Sequence, residues 1–234
     1  KYRPDLWWNN YDGIKAGINI TGGYLRHHHL FDLNFWINTG LLKHEEKDNY
    51  DSYSYRLKYN TNLDKISLNT RLKTHIEFLA GLYKNKLSIV KSDNKKYNTL
   101  TIDFLSLYRT NKNYLIYDRW ELEKFNNRVD VSLLHKYKYT KGNGSINLIL
   151  QSSGLGSSYD YNNIKLIVNN NNKFKKFNIK TRAFMQIGSG SNWAEESKLH
   201  ISGANNEEMM NSKFTRSEGI ISADYMNYDY NTNR

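Results

Sequence analysis

Three adjacent histidines, His27, His28 and His29, are the most obvious metal candidates in this 234-residue chain. Successive side chains on an extended backbone point to opposite faces, so three neighbours cannot easily reach one ion, and the trio reads as a hairpin tip. His44-Glu45-Glu46 and His200 have no partner at ligand spacing, and no His-Glu-x-x-His pattern occurs. Asp12-Gly13 reads as a turn rather than a catalytic carboxylate. Gly154, Gly156, Gly188 and Gly190 lack the strand-turn-helix setting of a phosphate loop. Ser152-Ser153 has no base at a recognisable spacing, so no catalytic constellation emerges.

The basic residues point to a function more clearly. Arg56, Lys58, Arg71, Lys73, Lys136, Lys138, Lys180 and Arg182 fall on the polar sides of four alternating stretches. If those stretches close into a barrel, the charges line one lumen, which would favour anions or an acidic plug. If they do not, the charges form a solvated sheet face. The chain holds 34 Lys+Arg against 23 Asp+Glu, a net charge of +11, so an anionic neighbour such as lipid headgroups or an acidic polysaccharide is expected. Tyrosines recur on the apolar faces without the compact aromatic motif of an RNA-binding sheet, which argues against nucleic acid.

The elements that would position these charges are strands. From Ile66 to Leu82 the even positions are apolar or Thr, while Ser67, Asn69, Arg71, Lys73, His75 and Glu77 alternate with them. Period two over this length predicts one long strand, oily on one face and wet on the other. The same pattern predicts strands through Ile14–Ile20, Phe31–Ile37, Tyr53–Tyr59, Val129–Tyr139, Ile146–Leu150, Ile164–Val168 and Phe177–Ile187, with one or two more between Leu87 and Tyr108. Residues 1–12 read as a polar, aromatic lead-in, Gly22-Gly23 as a turn or bulge, and Gly142-Asn143-Gly144 as a hairpin turn. Asn169–Asn172 reads as a loop, and Tyr114–Asn127 as a loop over one rim.

The fold class expected is all-β, an antiparallel meander of roughly nine or ten strands forming an incomplete transmembrane β-barrel. Strands and loops would occupy 1–187, and 188–234 would be a loop and short-helix segment, with helix over Asn206–Asn211, leading to further strands after Arg234. An open sheet edge cannot lie in lipid, because its unpaired N–H and C=O groups would each lose several kcal/mol. A mean hydropathy of −0.79 leaves no room for a helical anchor but suits a barrel, in which only alternate residues are apolar. The 19 Tyr, 9 Phe and 5 Trp suit aromatic girdles, with Trp7, Trp8, Trp36, Tyr53, Tyr55, Tyr59, Tyr137 and Tyr139 as interface candidates. There is no cysteine, hence no disulfide, and Lys1-Tyr2-Arg3-Pro4 is no signal peptide, so a leader has been removed or the chain is an internal piece.

Several blocks carry a resemblance. Tyr2-Arg3-Pro4-Asp5-Leu6-Trp7-Trp8-Asn9-Asn10-Tyr11-Asp12-Gly13-Ile14-Lys15-Ala16-Gly17 and Phe35-Trp36-Ile37-Asn38-Thr39-Gly40 resemble the region after the catalytic domain in surface-associated zinc aminopeptidases of some Gram-negative bacteria. These are gluzincins of the membrane alanyl aminopeptidase family. Ser157-Ser158-Tyr159-Asp160-Tyr161, Gly188-Ser189-Gly190-Ser191-Asn192, Gly203-Ala204-Asn205-Asn206-Glu207-Glu208-Met209-Met210 and Thr215-Arg216-Ser217 resemble later blocks of that region. The region is similar to surface-antigen barrels, which translocate or assemble proteins. The resemblance implies a bacterial outer-membrane barrel that anchors, and passes substrate or polypeptide for, a zinc peptidase domain of the same polypeptide.

Zinc would then belong to that catalytic domain, because its motif and third glutamate ligand are not in this chain; no cofactor is expected here. The arginine-glycine-aromatic motif of surface-antigen barrels is also not in this chain. A soluble β-sheet module that binds glycan or another acidic polymer through the same basic face is the competing reading. A third makes the chain part of an enzyme, shaping a substrate path.

Overall fold

Alternation at period two becomes strands because every second side chain of a pleated ribbon shares a face, and here eleven such ribbons pair in sequence order. The computed structural model describes residues 1–9, 12–24, 28–43, 50–111, 121–154 and 156–198. The strands are β1 (Tyr2–Asn9), β2 (Gly13–Tyr24), β3 (His28–Asn38), β4 (Tyr53–Asn62), β5 (Thr70–Leu79) and β6 (Leu82–Ser92). They continue as β7 (Asn98–Arg109), β8 (Phe125–Tyr139), β9 (Gly142–Ser153), β10 (Asp160–Phe174) and β11 (Phe177–Asn192). All neighbours are antiparallel, and a short 3₁₀ turn at Glu195–Ser197 is the only helical element among the described residues.

The fold is thus an all-β meander in one sheet that does not close among the described residues, where β1 pairs only with β2 and β11 only with β10. In a meander all odd-numbered strands run the same way, so β1 and β11 are parallel to each other. They could meet antiparallel only through an added strand.

Burial follows one face. Trp7 on β1, Trp36 on β3 and Leu79 on β5 form one cluster there, so the sheet curls toward it. This inner face also buries Lys15 (0% exposed), Glu77 (1%), Asn9, Asn126 and Arg128, whereas outward Leu6 is 71% and Ile187 63% exposed. Among strand residues, the outward rows carry only two ionic side chains, Lys91 and Asp160, each at or next to a strand end.

Several elements differ from the sequence reading. The run Ile66–Leu82 is not one strand. Backbone bonds from Ile66 and Ser67 N–H to the Leu63 carbonyl (2.8 and 2.9 Å) and Asn69 at φ 57° make a turn before Thr70, and Ala80-Gly81, both at positive φ, form a two-residue hairpin after Leu79. Ile66 and Leu68 are turn residues that fall in phase with the strand. Residues 2–9, expected as a lead-in, are β1, with Tyr2, Pro4, Leu6 and Trp8 outward.

Asn169–Asn172 is not a loop but lies within β10, and Asn169, Asn170, Asn171 and Asn172 each pair with both β9 and β11. Partners on both sides override the low strand propensity of asparagine. The hairpin after β8 turns at Thr140-Lys141, while Gly142 and Gly144 lie in β9 beneath the Tyr139 and Tyr137 rings, where a Cβ would come 2.8 and 2.4 Å from the hydroxyls. Those glycines make room for cross-strand tyrosines. The Gly22/Tyr24 register shift confirms the bulge at Gly22-Gly23. β11 runs past Ile187 to Asn192. The helix expected at 206–211, His27, His44-Glu45-Glu46 and His200 lie outside the described residues.

Gly17 shows how closely the inner face packs: a Cβ there would lie 2.1 Å from the Phe35 carbonyl oxygen and 2.4 Å from Trp36 Cδ1. Gly17→Val is expected to lower stability by about 1–3 kcal/mol through overpacking. It should also red-shift tryptophan emission, a shift that vanishes in a Trp36→Phe background.

Candidate functional site

The strand registers place all eight sequence-predicted basic residues on the inner face and divide them into two groups. Lys58 and Lys73 line a hollow of about 710 Å³ with Asp32, His75 and the Lys86–Asp103 ion pair (2.8 Å). Lys136, Lys138, Lys180 and Arg182 line another, of about 600 Å³, together with Lys95 and Lys96 from the β6–β7 turn. Arg56 belongs to neither hollow; its Nε donates to Glu77 Oε2 at 2.5 Å. Arg71 is exposed near the start of β5, in register with Asn62 and Val90.

Towards the other end of the strands the inner face is filled by a polar network. The Lys15 ammonium pairs with Asp12, donates to Ser54 Oγ (3.0 Å) and lies 4.9 Å from the Trp7 ring centroid. Asn9 donates to Asp12 at 3.0 Å, and the Trp36 indole N–H donates to Asp5 at 3.0 Å. Glu77 accepts from Arg56, with His75 3.4 Å away. After β11 the chain turns over this face. Ser197, fully buried, accepts from Arg128 (3.2 Å) and donates to the Tyr161 hydroxyl (2.8 Å), which donates to Asn126 (2.8 Å). Trp193 stacks on Tyr161 at 5.3 Å. Lys15, Glu77, Arg128 and Ser197 were not singled out in the sequence. For the first three the signal was available, since their parity puts them on the polar row.

The aromatic candidates separate. Trp7 and Trp36 do not join an outward girdle: they meet edge to face, 6.0 Å apart, on the inner face, where charged neighbours and close packing hold them. Trp8 is outward, and its indole N–H donates to the Leu42 carbonyl at 2.8 Å. Tyr53 and Tyr55 continue into an outward band with Phe78 and Tyr83 (4.2 Å, stacked), then Tyr108 and Phe125 (4.5 Å, stacked). Near the opposite strand ends lie Tyr59 beside His29, and Tyr137 stacked between His135 and Tyr139. Phe78, Tyr83, Tyr108 and Phe125 were missed as a set because strand ends, not alternation, reveal a band.

His28 and His29 open β3, and the alternation expected of adjacent histidines does not hold there: His29 has φ 53° beside the register shift, and the two ring centroids lie 6.5 Å apart. No group of three His, Asp or Glu side chains converges to hold a metal among the described residues. Comparison with known protein families, with curated proteins and with solved structures gives no match for this chain.

Two predictions follow from these charges. Glu77→Gln leaves the Arg56 guanidinium without its counter-charge and should lower stability by about 3–5 kcal/mol, while Arg56→Met with Glu77→Leu should lower it far less. Urea unfolding of the two variants makes the comparison. In the β6–β7 turn, slight desolvation pushes the Asp93 pKa up, but bonds from Asn98 and the Tyr97 and Lys96 amides outweigh it and hold the carboxyl below its ordinary range. Its contribution is therefore present above the ordinary Asp pKa and fades as pH falls through the depressed value. Hydrogen exchange of the Tyr97 and Asn98 amides should lose protection over that acidic window, and Asp93→Asn should abolish the pH dependence.

Proposed function

We propose that this chain is a non-catalytic barrel segment of a bacterial outer membrane, anchoring a zinc aminopeptidase domain of the same polypeptide. The observation that carries the membrane part is inverted burial: Lys15, Glu77, Lys84, Asp103, Arg128 and Asp130 are enclosed while Leu6, Ile37, Leu133, Ile164 and Ile187 face out. In water that arrangement forfeits the hydrophobic driving force, about 25 cal/mol per Å² of apolar surface. In a bilayer it is the favourable one. A water-soluble polyanion-binding sheet would leave the outward rows uncovered.

The aromatic bands give a second support. On β8, Phe125 and Tyr137 lie in different bands and are twelve positions apart. At ~3.3 Å per residue that is about 40 Å along the strand, and about 30 Å along the membrane normal at a ~40° tilt, comparable to a hydrocarbon core of ~30 Å. The peptidase part rests on the resemblance of the Tyr2–Gly17, Phe35–Gly40 and later blocks to the region that follows gluzincin catalytic domains. Zinc would be held by that domain, as the same resemblance implies.

Cell fractionation of the full-length polypeptide tests the proposal. Aminopeptidase activity should sediment with outer membranes and resist carbonate extraction, and deleting this segment should release the activity into the soluble fraction. Activity that carbonate extracts with the segment present would contradict it.

A further inference from the structure

Strand register turns the 600 Å³ hollow into an ordered trough. Lys136, Ser145, Asn169 and Arg182 form one row across β8, β9, β10 and β11, and Lys138, Asn143, Asn171 and Lys180 form the next. Each row has a cation at both ends and neutral hydrogen-bonding groups between them. The rows are two residues apart along the strands, about 7 Å. Lys95 and Lys96 overhang the same end from the β6–β7 turn, which is tied to β8 by the Lys136 N–H donating to the Tyr97 carbonyl at 2.7 Å.

The trough carries uncompensated charge. Among the described residues, none of its six cations forms an ion pair and no carboxylate lines it. The nearby Asp93 is engaged within its own turn by Tyr97 and Asn98. The companion hollow differs, with Asp32 present and Lys86 paired to Asp103. Six like charges at one end of a sheet repel one another, and a bound polyanion would relieve that repulsion. A second observation concerns the floor: the Asn171 side-chain oxygen is buried with no donor. An occupant that satisfies both features brings several negative charges and an O–H or N–H group.

We infer that this trough binds a phosphorylated saccharide. Six cations crowded into one trough call for dense negative charge, and a phosphate brings up to two charges where a carboxylate brings one, with lysine ammoniums meeting it as point charges. Sugar hydroxyls supply the donors that Asn171 lacks. The trough lies on the polar face, so the inference does not depend on the membrane assignment and survives its failure.

Titration calorimetry with myo-inositol hexakisphosphate tests it, using unphosphorylated myo-inositol and poly-glutamate as comparators. The hexakisphosphate should bind with an affinity that falls as salt rises. The variant Lys136→Gln/Lys138→Gln/Lys180→Gln/Arg182→Gln should weaken it at least tenfold with a urea midpoint no lower than before, and Lys58→Gln/Lys73→Gln should leave it intact. Vesicles carrying phosphatidylinositol 4,5-bisphosphate separate the two sources of this chemistry. Capture by the vesicles, lost in the fourfold variant, assigns a lipid-borne saccharide; hexakisphosphate binding without capture assigns a free one. Undiminished binding in the fourfold variant would overturn the inference. Poly-glutamate binding as tight as the hexakisphosphate would overturn its chemical class.

Discussion

A charged side chain enclosed by protein must find partners or water, and in this sheet nearly every charged strand residue is turned to the same side. That single constraint orders the rest of the structure. Lys15 needs Asp12 and Ser54, Glu77 needs Arg56, and Arg128 needs Asp130 and Ser197, so the inner face becomes a connected polar network. Because strand side chains alternate, the opposite face receives what remains, chiefly Leu, Ile, Val, Phe and Tyr with uncharged Thr, Ser and Asn. The membrane proposal is the environment in which both faces are satisfied at once.

The same constraint bears on the edges. β11 is a sixteen-residue strand paired on one side only among the described residues, and its residues are nearly all exposed. Its free N–H and C=O groups could not face hydrocarbon. Since β1 and β11 run parallel, completing an antiparallel barrel calls for an added strand that returns from the Asn192 end toward the Lys1 end. Meanwhile the segment after β11 packs inward, with Trp193 on Tyr161 and Ser197 on Arg128.

The faces of the strands were legible in the sequence because alternation reports them directly: the eight basic residues all fell on one face, as their parity indicates. Boundaries were less legible. Ile66 and Leu68 kept the phase of β5 through a turn, and the Asn169–Asn172 run looked like a loop because its strand pairing is supplied by β9 and β11 rather than by its own propensity. The pairing of Glu77 with Arg56 and the seating of Trp7 and Trp36 inside depend on register between strands, which no single stretch contains. So does the trough, whose rows join residues up to forty-six positions apart.

The central claim is that the outward rows meet hydrocarbon and the inner rows meet water. With no native cysteine in the chain, single nitroxide labels can be placed at successive positions from 129 to 134 of β8 in reconstituted vesicles. Collisions with oxygen should peak at positions 129, 131 and 133, and collisions with a water-soluble nickel chelate at 130, 132 and 134. Nickel access on the odd positions, or oxygen access without alternation, would contradict the account.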